Sequence, residues 1–180
     1  MSAATTSPAA TGAATGTAAR VRLLVLDVDG VLTDGRLYYG ARGEALKAFH
    51  VRDGLGLKLL AAAGITVAVI SGRRSGMTAR RCRELGVRHL VQGVEDKLTA
   101  FQRLRERLGM SSTVCACVGD DVPDVPLMRE VGLSFAVADA HPQARSAAHV
   151  ITRLPGGRGA VREVCDYLLE ARRSAAAAVK

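Results

Sequence analysis

The 180-residue sequence predicts an α/β protein built on a doubly wound, mostly parallel sheet. Short apolar runs alternate along the chain with segments of helical periodicity, which is the pattern of repeated β–α units. The apolar runs are nearly continuous, as expected of strands that helices cover on both faces. Several of them end abruptly in polar residues, and in such sheets ligands bind at the carboxyl ends of the strands.

The first strand is expected at residues 21–26, and it ends in Asp27-Val28-Asp29-Gly30. A small β-hairpin should follow, because two short strand patterns at 37–39 and 45–49 flank the turn residues 40–43. Glycine just beyond the last periodic residue closes several predicted helices. The other strands are expected at 65–70, 89–91, 113–118, 133–137 and, at one edge, 150–151. The helices are expected at 55–63, 75–85, 96–108, 123–132, 142–147 and 160–172.

The two ends of the chain differ from the rest in composition. Residues 1–19 carry no charge and consist mainly of alanine, threonine, serine and glycine, which bury too little surface to order a segment. We therefore expect a disordered tail over 1–20, one structured domain over 21–172 and a loose C-terminus over 173–180. The glycine-rich segment 156–159 is expected to act as a mobile arm.

Charge and composition exclude several classes of protein. The net charge is +8, but the chain has no tryptophan and only three tyrosines and three phenylalanines, and it contains no nucleic-acid-binding module. No stretch approaches the ~18 consecutive apolar residues of a membrane span. The four cysteines lack zinc-site spacing and fall in strand and helix patterns, which is typical of free thiols in a reducing compartment. We expect a cytoplasmic protein without a nucleic-acid or membrane partner.

Four polar clusters follow predicted strands or begin predicted helices. They contain Asp27 and Asp29, then Ser71, then Lys97, and finally Asp120 with its neighbours Asp121 and Asp124. In a parallel sheet these positions converge on one edge. The two carboxylates at 27 and 29 would repel each other unless a cation or a proton shared the site, so a metal site is favoured over the alternative of two helix-capping residues.

The four clusters resemble, in order, the four motifs of the haloacid dehalogenase superfamily, beginning with DVDGVLT at 27–33. The resemblance implies a haloacid dehalogenase-like Rossmannoid fold and Mg²⁺ as cofactor. It implies that Asp27 is the nucleophile, that Asp29 is the acid and base, and that Ser71 and Lys97 bind the phosphoryl oxygens. It implies that Asp27, the backbone carbonyl of Asp29, and Asp120 bind the metal. Whether Asp121 or Asp124 also supports the metal stays open.

The carboxylate at position 29 favours a phosphatase, because dehalogenases and phosphate-pumping ATPases of the superfamily lack it. The intervals between the motifs leave no room for a cap domain, and the resemblance to capless members implies a homotetramer. Within the superfamily, the segments DVDGVLTDG, FHVRDGLG, ISGR, GDDVPDVP, FAVADAHP and GGRGAVRE resemble the phosphatases that act on 3-deoxy-D-manno-octulosonate 8-phosphate, in lipopolysaccharide biosynthesis. The match covers residues from about 22 to 169.

This resemblance implies an acid sugar phosphate as substrate, with both a phosphate and a carboxylate to bind. Taken alone, some of the implied contacts have simpler interpretations: His50 as a structural histidine, Asp53 as a helix cap, and Lys58 as a solvated helix residue. A phosphatase of a nonulosonate 9-phosphate and a non-catalytic anion-binding relative remain as alternatives. The implied substrate-binding residues are Asp29, His50, Val51, Arg52, Asp53, Gly54, Lys58, Arg73, Arg81 and Lys97.

Overall fold

The structure, a computed structural model, describes residues 12–178. Eight strands are present in this part of the chain. They are β1 (Leu23–Leu26), β2 (Tyr38–Gly40), β3 (Gly43–Leu46), β4 (Thr66–Ser71), β5 (His89–Gln92), β6 (Cys115–Gly119), β7 (Leu133–Ala136) and β8 (Val150–Ile151). Seven α-helices accompany them: α1 (Gly12–Ala19), α2 (Val51–Ala62), α3 (Gly76–Leu85), α4 (Lys97–Arg107), α5 (Val125–Glu130), α6 (Pro142–Ala147) and α7 (Ala160–Ala178). No helix within 12–178 is long and apolar enough to cross a membrane.

Six of the strands form one sheet in the order β5-β4-β1-β6-β7-β8, and every pair is parallel. The chain leaves β1 towards β4 on one side and later returns to β6 on the other side. This reversal puts a switch point between β1 and β6, where doubly wound sheets bind their ligands. Leu26, the last residue of β1, lies beside Val118 of β6, so the segments after both strands emerge together. The predicted doubly wound sheet is confirmed.

Helices cover both faces of this sheet. Helices α1 and α2 both pack on α7, and in a second group α4 and α6 both pack on α5. All four residues of β1 and all five of β6 are buried, in agreement with the continuous apolar runs of the sequence. The largest fully buried side chains are Phe101, Phe135, Leu23, Leu24, Leu26, Leu57, Leu60, Ile65, Ile70, Leu104, Met128 and Leu133.

The hairpin forms a separate two-stranded sheet from β2 and β3. Its apolar side chains face solvent, with Tyr39 64% exposed and Leu46 53% exposed. The described chain contains no inserted cap domain, as expected. Helix α2 begins at Val51, four residues before the predicted start, and His50 in extended conformation precedes it as the N-cap.

Helix occupies both ends of the described chain, where the sequence predicted none. Helix α1 occupies 12–19 and buries Ala18 completely among core side chains. Helix α7 continues to Ala178, beyond the predicted end at 172. Alanine has the highest helix propensity of the residues, which favours helix at both places. Residues 1–11 of the tail predicted over 1–20, and the last two residues of the chain, lie outside the described part.

Candidate active site

Asp27 occupies the centre of the sheet edge, directly after β1. The residue is 8% exposed, and its backbone N–H donates to the carbonyl oxygen of Val118 at 3.2 Å. This bond holds the segment after β1 beside β6. Burial raises the pKa of the Asp27 carboxyl to about 6, with a further contribution from Asp124, whereas the Lys97 ammonium opposes the rise. The ammonium, 2.9 Å from the carboxylate, favours the ionised form.

Three carboxylates meet at this point: Asp27, Asp120 and Asp124. One oxygen from each lies within 4.8 Å of the other two. Asp124 is 3% exposed, and its Oδ2 accepts from the backbone N–H groups of Asp120 at 3.1 Å and Asp121 at 3.3 Å. Asp121 is instead exposed and caps the short 3-10 turn Val122–Asp124. Of the two residues that the sequence left open as further supports of the metal, Asp124 therefore lies in the carboxylate cluster, whereas Asp121 caps a turn outside it.

Lys97, the first residue of α4, is the cation beside this cluster. Its Nζ lies 2.9 Å from Asp27 Oδ1 and 2.7 Å from Asp124 Oδ1. Burial lowers the pKa of Lys97, but the two adjacent carboxylates outweigh it, so the pKa lies above its ordinary value. The start of α4 is fixed by Asp96, whose side chain caps the helix through the N–H of Thr99 at 3.0 Å. Lys97 follows this cap directly and contacts Asp27 from the first turn of the helix.

The cluster has the properties of a divalent cation site. Three carboxylates face one ammonium, and Asp120 Oδ1 is buried without a hydrogen-bond partner in the described structure. Burial raises the pKa of Asp120 to about 8, with further contributions from Asp27 and Asp124, because the ionised carboxylate is disfavoured away from water and beside like charges. Carboxylate oxygens are the ligands that Mg²⁺ prefers. These residues fit a bound magnesium ion.

Gly30 allows the loop after β1 to approach Asp120 closely. A Cβ atom at this position would lie 2.0 Å from Asp120 Oδ2, and the backbone φ of +95° is one that side chains rarely adopt. Gly156 approaches the same loop from the other side, where a Cβ would lie 1.7 Å from the carbonyl oxygen of Gly30. The backbone N–H of Gly157 donates to Val31 O at 3.0 Å. The segment expected to be a mobile arm is therefore packed against the loop after β1.

Asp29 lies on the side of the site that the hairpin covers. Its Oδ1 accepts a hydrogen bond from Lys47, which follows β3, and its Oδ2 lies 3.6 Å from Arg73 Nε. Arg73 Nη2 also donates to the hydroxyl of Tyr39 at 3.3 Å. Glu44 of β3 completes this group, with Oε1 lying 3.2 Å from Lys47 Nζ. Charged side chains of the hairpin thus face the site, while its apolar side chains are exposed.

Ser71 ends β4, the strand on the other side of β1. It is 3% exposed, and its Oγ accepts from the backbone N–H of Arg73 at 3.3 Å. Its carbonyl oxygen accepts from the N–H of Gly93 at 2.9 Å. The hydroxyl therefore keeps its own proton free to donate at the same sheet edge as Asp27.

The predicted substrate-binding segment 50–54 forms the start of α2 and is only partly accessible. Asp53 is 1% exposed, and its Oδ1 accepts from the backbone N–H of Arg162 at 2.8 Å, so its side chain is turned into the protein. Burial raises its pKa, partly offset by that hydrogen bond. His50 Nδ1 is buried without a hydrogen-bond partner in the described structure, whereas Val51 and Arg52 are exposed.

Arg81 of α3 joins this segment from a neighbouring helix. Its guanidinium carbon lies 6.0 Å from the ring centroid of Phe49, and a Cβ at Gly54 would lie 2.4 Å from Arg81 Nη2. Gly54 therefore leaves space for the guanidinium, which brings Arg81 to the residues around His50. Lys58 lies exposed one turn further along α2. Its assignment to substrate stays a prediction.

Two polar residues of the hairpin segment, Glu44 and Lys47, were not among the predicted site residues. The hairpin was predicted from its turn residues and from the two short strand patterns that flank them. A lysine and a glutamate within a segment of only a few strand residues could have indicated a second, charged face. The partner of that face, Asp29, could not have been identified from the hairpin alone.

Comparison with known proteins gives consistent similarities. The model of the haloacid dehalogenase-like hydrolases matches residues 89–161. The chain is 54% identical over 152 residues to the 3-deoxy-D-manno-octulosonate 8-phosphate phosphatase KdsC of Escherichia coli, with 84% of this chain and 81% of the relative covered.

Two crystal structures extend the similarity to three dimensions. The first is of 3-deoxy-D-manno-octulosonate 8-phosphate phosphatase from Yersinia pestis, with a TM-score of 0.88, 50% identity, and 90% of this chain and 88% of that chain covered. The second is of the Moraxella catarrhalis phosphatase of the same name in complex with magnesium, phosphate and KDO. It has a TM-score of 0.86 and 43% identity, and 92% of this chain and 97% of that chain are covered.

Proposed function

Because the chain belongs to the 3-deoxy-D-manno-octulosonate 8-phosphate phosphatase family of haloacid dehalogenase-like hydrolases, we propose that it hydrolyses this sugar phosphate to 3-deoxy-D-manno-octulosonate and inorganic phosphate. It is then a phosphoric monoester hydrolase of lipopolysaccharide biosynthesis. The observation that carries the proposal is the ionisable Asp27 beside Lys97 and two further carboxylates at the switch point of the sheet. The relatives share this fold over most of their length.

Asp27 is the nucleophile in this proposal. One of its oxygens attacks the phosphorus, the bond from phosphorus to the sugar oxygen breaks, and a phosphoaspartate forms. Asp29 donates a proton to the leaving sugar oxygen and then takes a proton from the water that attacks the phosphoaspartate. Inorganic phosphate leaves, and Asp27 is regenerated. Lys97, only 2.9 Å from the nucleophile, and the Ser71 hydroxyl bind the phosphoryl oxygens.

The cofactor in this proposal is Mg²⁺, which the Moraxella catarrhalis structure contains. The ion would be held by Asp27, by Asp120 and by the backbone carbonyl of Asp29. Asp124 holds Asp120 in place, because its Oδ2 accepts from the backbone N–H of Asp120. When bound, the ion screens the repulsion between the nucleophile and the phosphate and stabilises the charge that develops on the phosphoryl oxygens.

The basic residues around the site supply the recognition of an acid sugar. Arg73 and Arg81 are half-buried beside Asp29 and the segment 50–54, respectively. A carboxylate is bound most strongly by a guanidinium, which offers two parallel donors. In this proposal the exposed Arg52 and the lysine at position 58 contribute at the periphery. No nucleic acid or membrane is needed as a partner.

The assembly that the resemblance implies is a homotetramer. Two strands make a marginal sheet unless further surface is buried against them, and the described hairpin exposes Leu37, Tyr38, Tyr39 and Leu46. Association of copies through these side chains would bury that surface. We assign the protein to the cytoplasm, in accord with its four free cysteines, all of them buried.

The test is a comparison of purified wild-type protein with the Asp27→Asn variant. In magnesium buffer the wild type should release phosphate from 3-deoxy-D-manno-octulosonate 8-phosphate with a higher kcat/KM than from a nonulosonate 9-phosphate. The variant keeps the shape of the side chain but cannot attack phosphorus, so turnover should be lost while the far-UV spectrum is kept. Undiminished turnover by Asp27→Asn would exclude the covalent mechanism. A preference for the nonulosonate phosphate would reassign the substrate.

A further inference from the structure

Lys47 is a buried cation to which the mechanism above gives no role. Its side chain is only 2% exposed although it follows a hairpin whose other side chains are largely in solvent. Nζ is enclosed by two carboxylates, since it donates to Asp29 Oδ1 and lies 3.2 Å from Glu44 Oε1. A lysine is buried this completely only where its charge is paired. The hairpin therefore contributes a fixed cation to the loop after β1.

This lysine is the sole hydrogen-bond donor to the Asp29 carboxylate within residues 12–178. The other cation nearby, Arg73, has its Nε 3.6 Å from Asp29 Oδ2, and that Nε makes no hydrogen bond in the described structure. The two oxygens of Asp29 are consequently different. Oδ1 is occupied by Lys47, and Oδ2 has a positive neighbour but no donor.

The carboxylate of Asp29 lies apart from the other three carboxylates of the site. Asp27, Asp120 and Asp124 bring their oxygens together within 4.8 Å, whereas Asp29 is not part of that group although it is only two residues from Asp27. Its bond to Lys47 is on the opposite side, that of the hairpin.

We propose that Lys47 is a positioning residue that binds Oδ1 of Asp29, holds this carboxylate apart from the three-carboxylate cluster, and leaves Oδ2 as the oxygen that exchanges the proton with substrate and water. The inference rests on the proposed function, in which Asp29 is the acid and base. It makes the hairpin part of the catalytic apparatus of its own chain.

Glu44 and Ser75 keep the lysine in place. Ser75 Oγ donates to Glu44 Oε2 at 2.6 Å, and the other oxygen of Glu44 is shared between Lys47 and Arg73 Nη2 at 3.6 Å. The chain of contacts thus runs from the loop after β4, through β3, to the loop after β1. A displacement of the hairpin would move the lysine and, with it, the carboxylate of Asp29.

The test is a double-mutant cycle with Lys47→Met and Asp29→Asn, measured in single turnover on two substrates. The sugar phosphate has a poor leaving group that needs a proton, whereas 4-nitrophenyl phosphate releases a stable anion. Lys47→Met should slow release of the sugar about 10- to 100-fold, a part of the roughly 10²–10⁴-fold that a positioned acid contributes, and should slow release of 4-nitrophenolate much less. In the Asp29→Asn background the same change should alter the rate less than about twofold, because there it has no carboxylate to position.

Each other outcome has a definite meaning. A wild-type rate for Lys47→Met, or equal losses on both substrates that persist beside Asp29→Asn, would overturn the inference. Full activity of Asp29→Asn alone would instead refute the acid–base assignment of the proposed function. If Lys47→Met does not fold, Glu44→Gln should give the same leaving-group pattern at smaller size, and its absence there would equally overturn the inference. Glu170→Gln, which removes an exposed ion pair with Arg173 on α7, is the matched control.

Discussion

Removing the charge of Lys97 gives a test of the site that does not depend on turnover. The Nζ atom lies 2.9 Å from Asp27 and 2.7 Å from Asp124, and all three side chains are less than 10% exposed. Lys97→Met keeps the length and apolar stem of the side chain but leaves two buried carboxylates without their shared ammonium. Breaking a buried ion pair by removing one partner costs about 3–5 kcal/mol of unfolding free energy.

This loss should be visible as a fall in melting temperature. For a protein of 150–250 residues, 1 kcal/mol corresponds to roughly 2–4 °C, so metal-free Lys97→Met should melt about 6–20 °C below the wild type. The measurement is thermal unfolding followed by circular dichroism after exhaustive chelation. Lys58→Met serves as a control for stability alone, because this lysine is exposed on α2 and a surface change of this kind stays within about 0.5 kcal/mol.

A second variant separates the charge from the packing. Lys97→Met combined with Asp124→Asn removes one of the two stranded carboxylates and should regain part of the lost stability, which is the non-additivity expected of residues in contact. A melting temperature of Lys97→Met within about 2 °C of the wild type would refute the reasoning, since 1 kcal/mol or less would then separate the proteins. In that case the ammonium of Lys97 would not be needed to stabilise the buried carboxylates of Asp27 and Asp124.

The other predictions concern the metal, the hydroxyl and the hairpin. Chelation should abolish phosphate release, and added Mg²⁺ should restore it. Asp120→Ala should weaken magnesium binding in calorimetry. Turnover that survives chelation would contradict the requirement for the metal. Ser71→Ala should lower kcat by about 10²–10³, as for one oxyanion donor, and a loss as large as that of Asp27→Asn would assign it a larger role. Leu46→Asp leaves the contact of Tyr39 with Arg73 intact and should split the oligomer in light scattering, whereas a wild-type monomer at assay concentration would disprove the assembly.

The sheet and the catalytic edge could be predicted because their signals are local. A strand buried on both faces is a continuous apolar run, and β1 shows one directly before Asp27. Where parallel strands alternate with helices, the polar residue after each strand falls on one edge, so Asp27, Ser71 and Asp120 could be brought together from their order alone. The position of Lys97 could be predicted from the same alternation of strands and helices, because the residue lies near the start of a predicted helix.

The tertiary structure decided which polar side chains face which, because those pairings join residues far apart in sequence. Asp53 was predicted to contact substrate or cap a helix, and the partner that the fold gives its carboxylate is the backbone N–H of Arg162, 109 residues away. Its contact with substrate stays a prediction. The glycine-rich composition of residues 156–159 is typical of a mobile segment. In the fold, however, Gly156 lies so close to the Gly30 carbonyl that only a residue without a side chain fits there. Glu44 and Lys47 look like ordinary solvated charges until the hairpin folds over the sheet edge. The sequence gives the chemistry of each side chain, but the partner of a side chain depends on how the chain folds. Because burying an unpaired charge is costly, the fold must give each buried charge a partner.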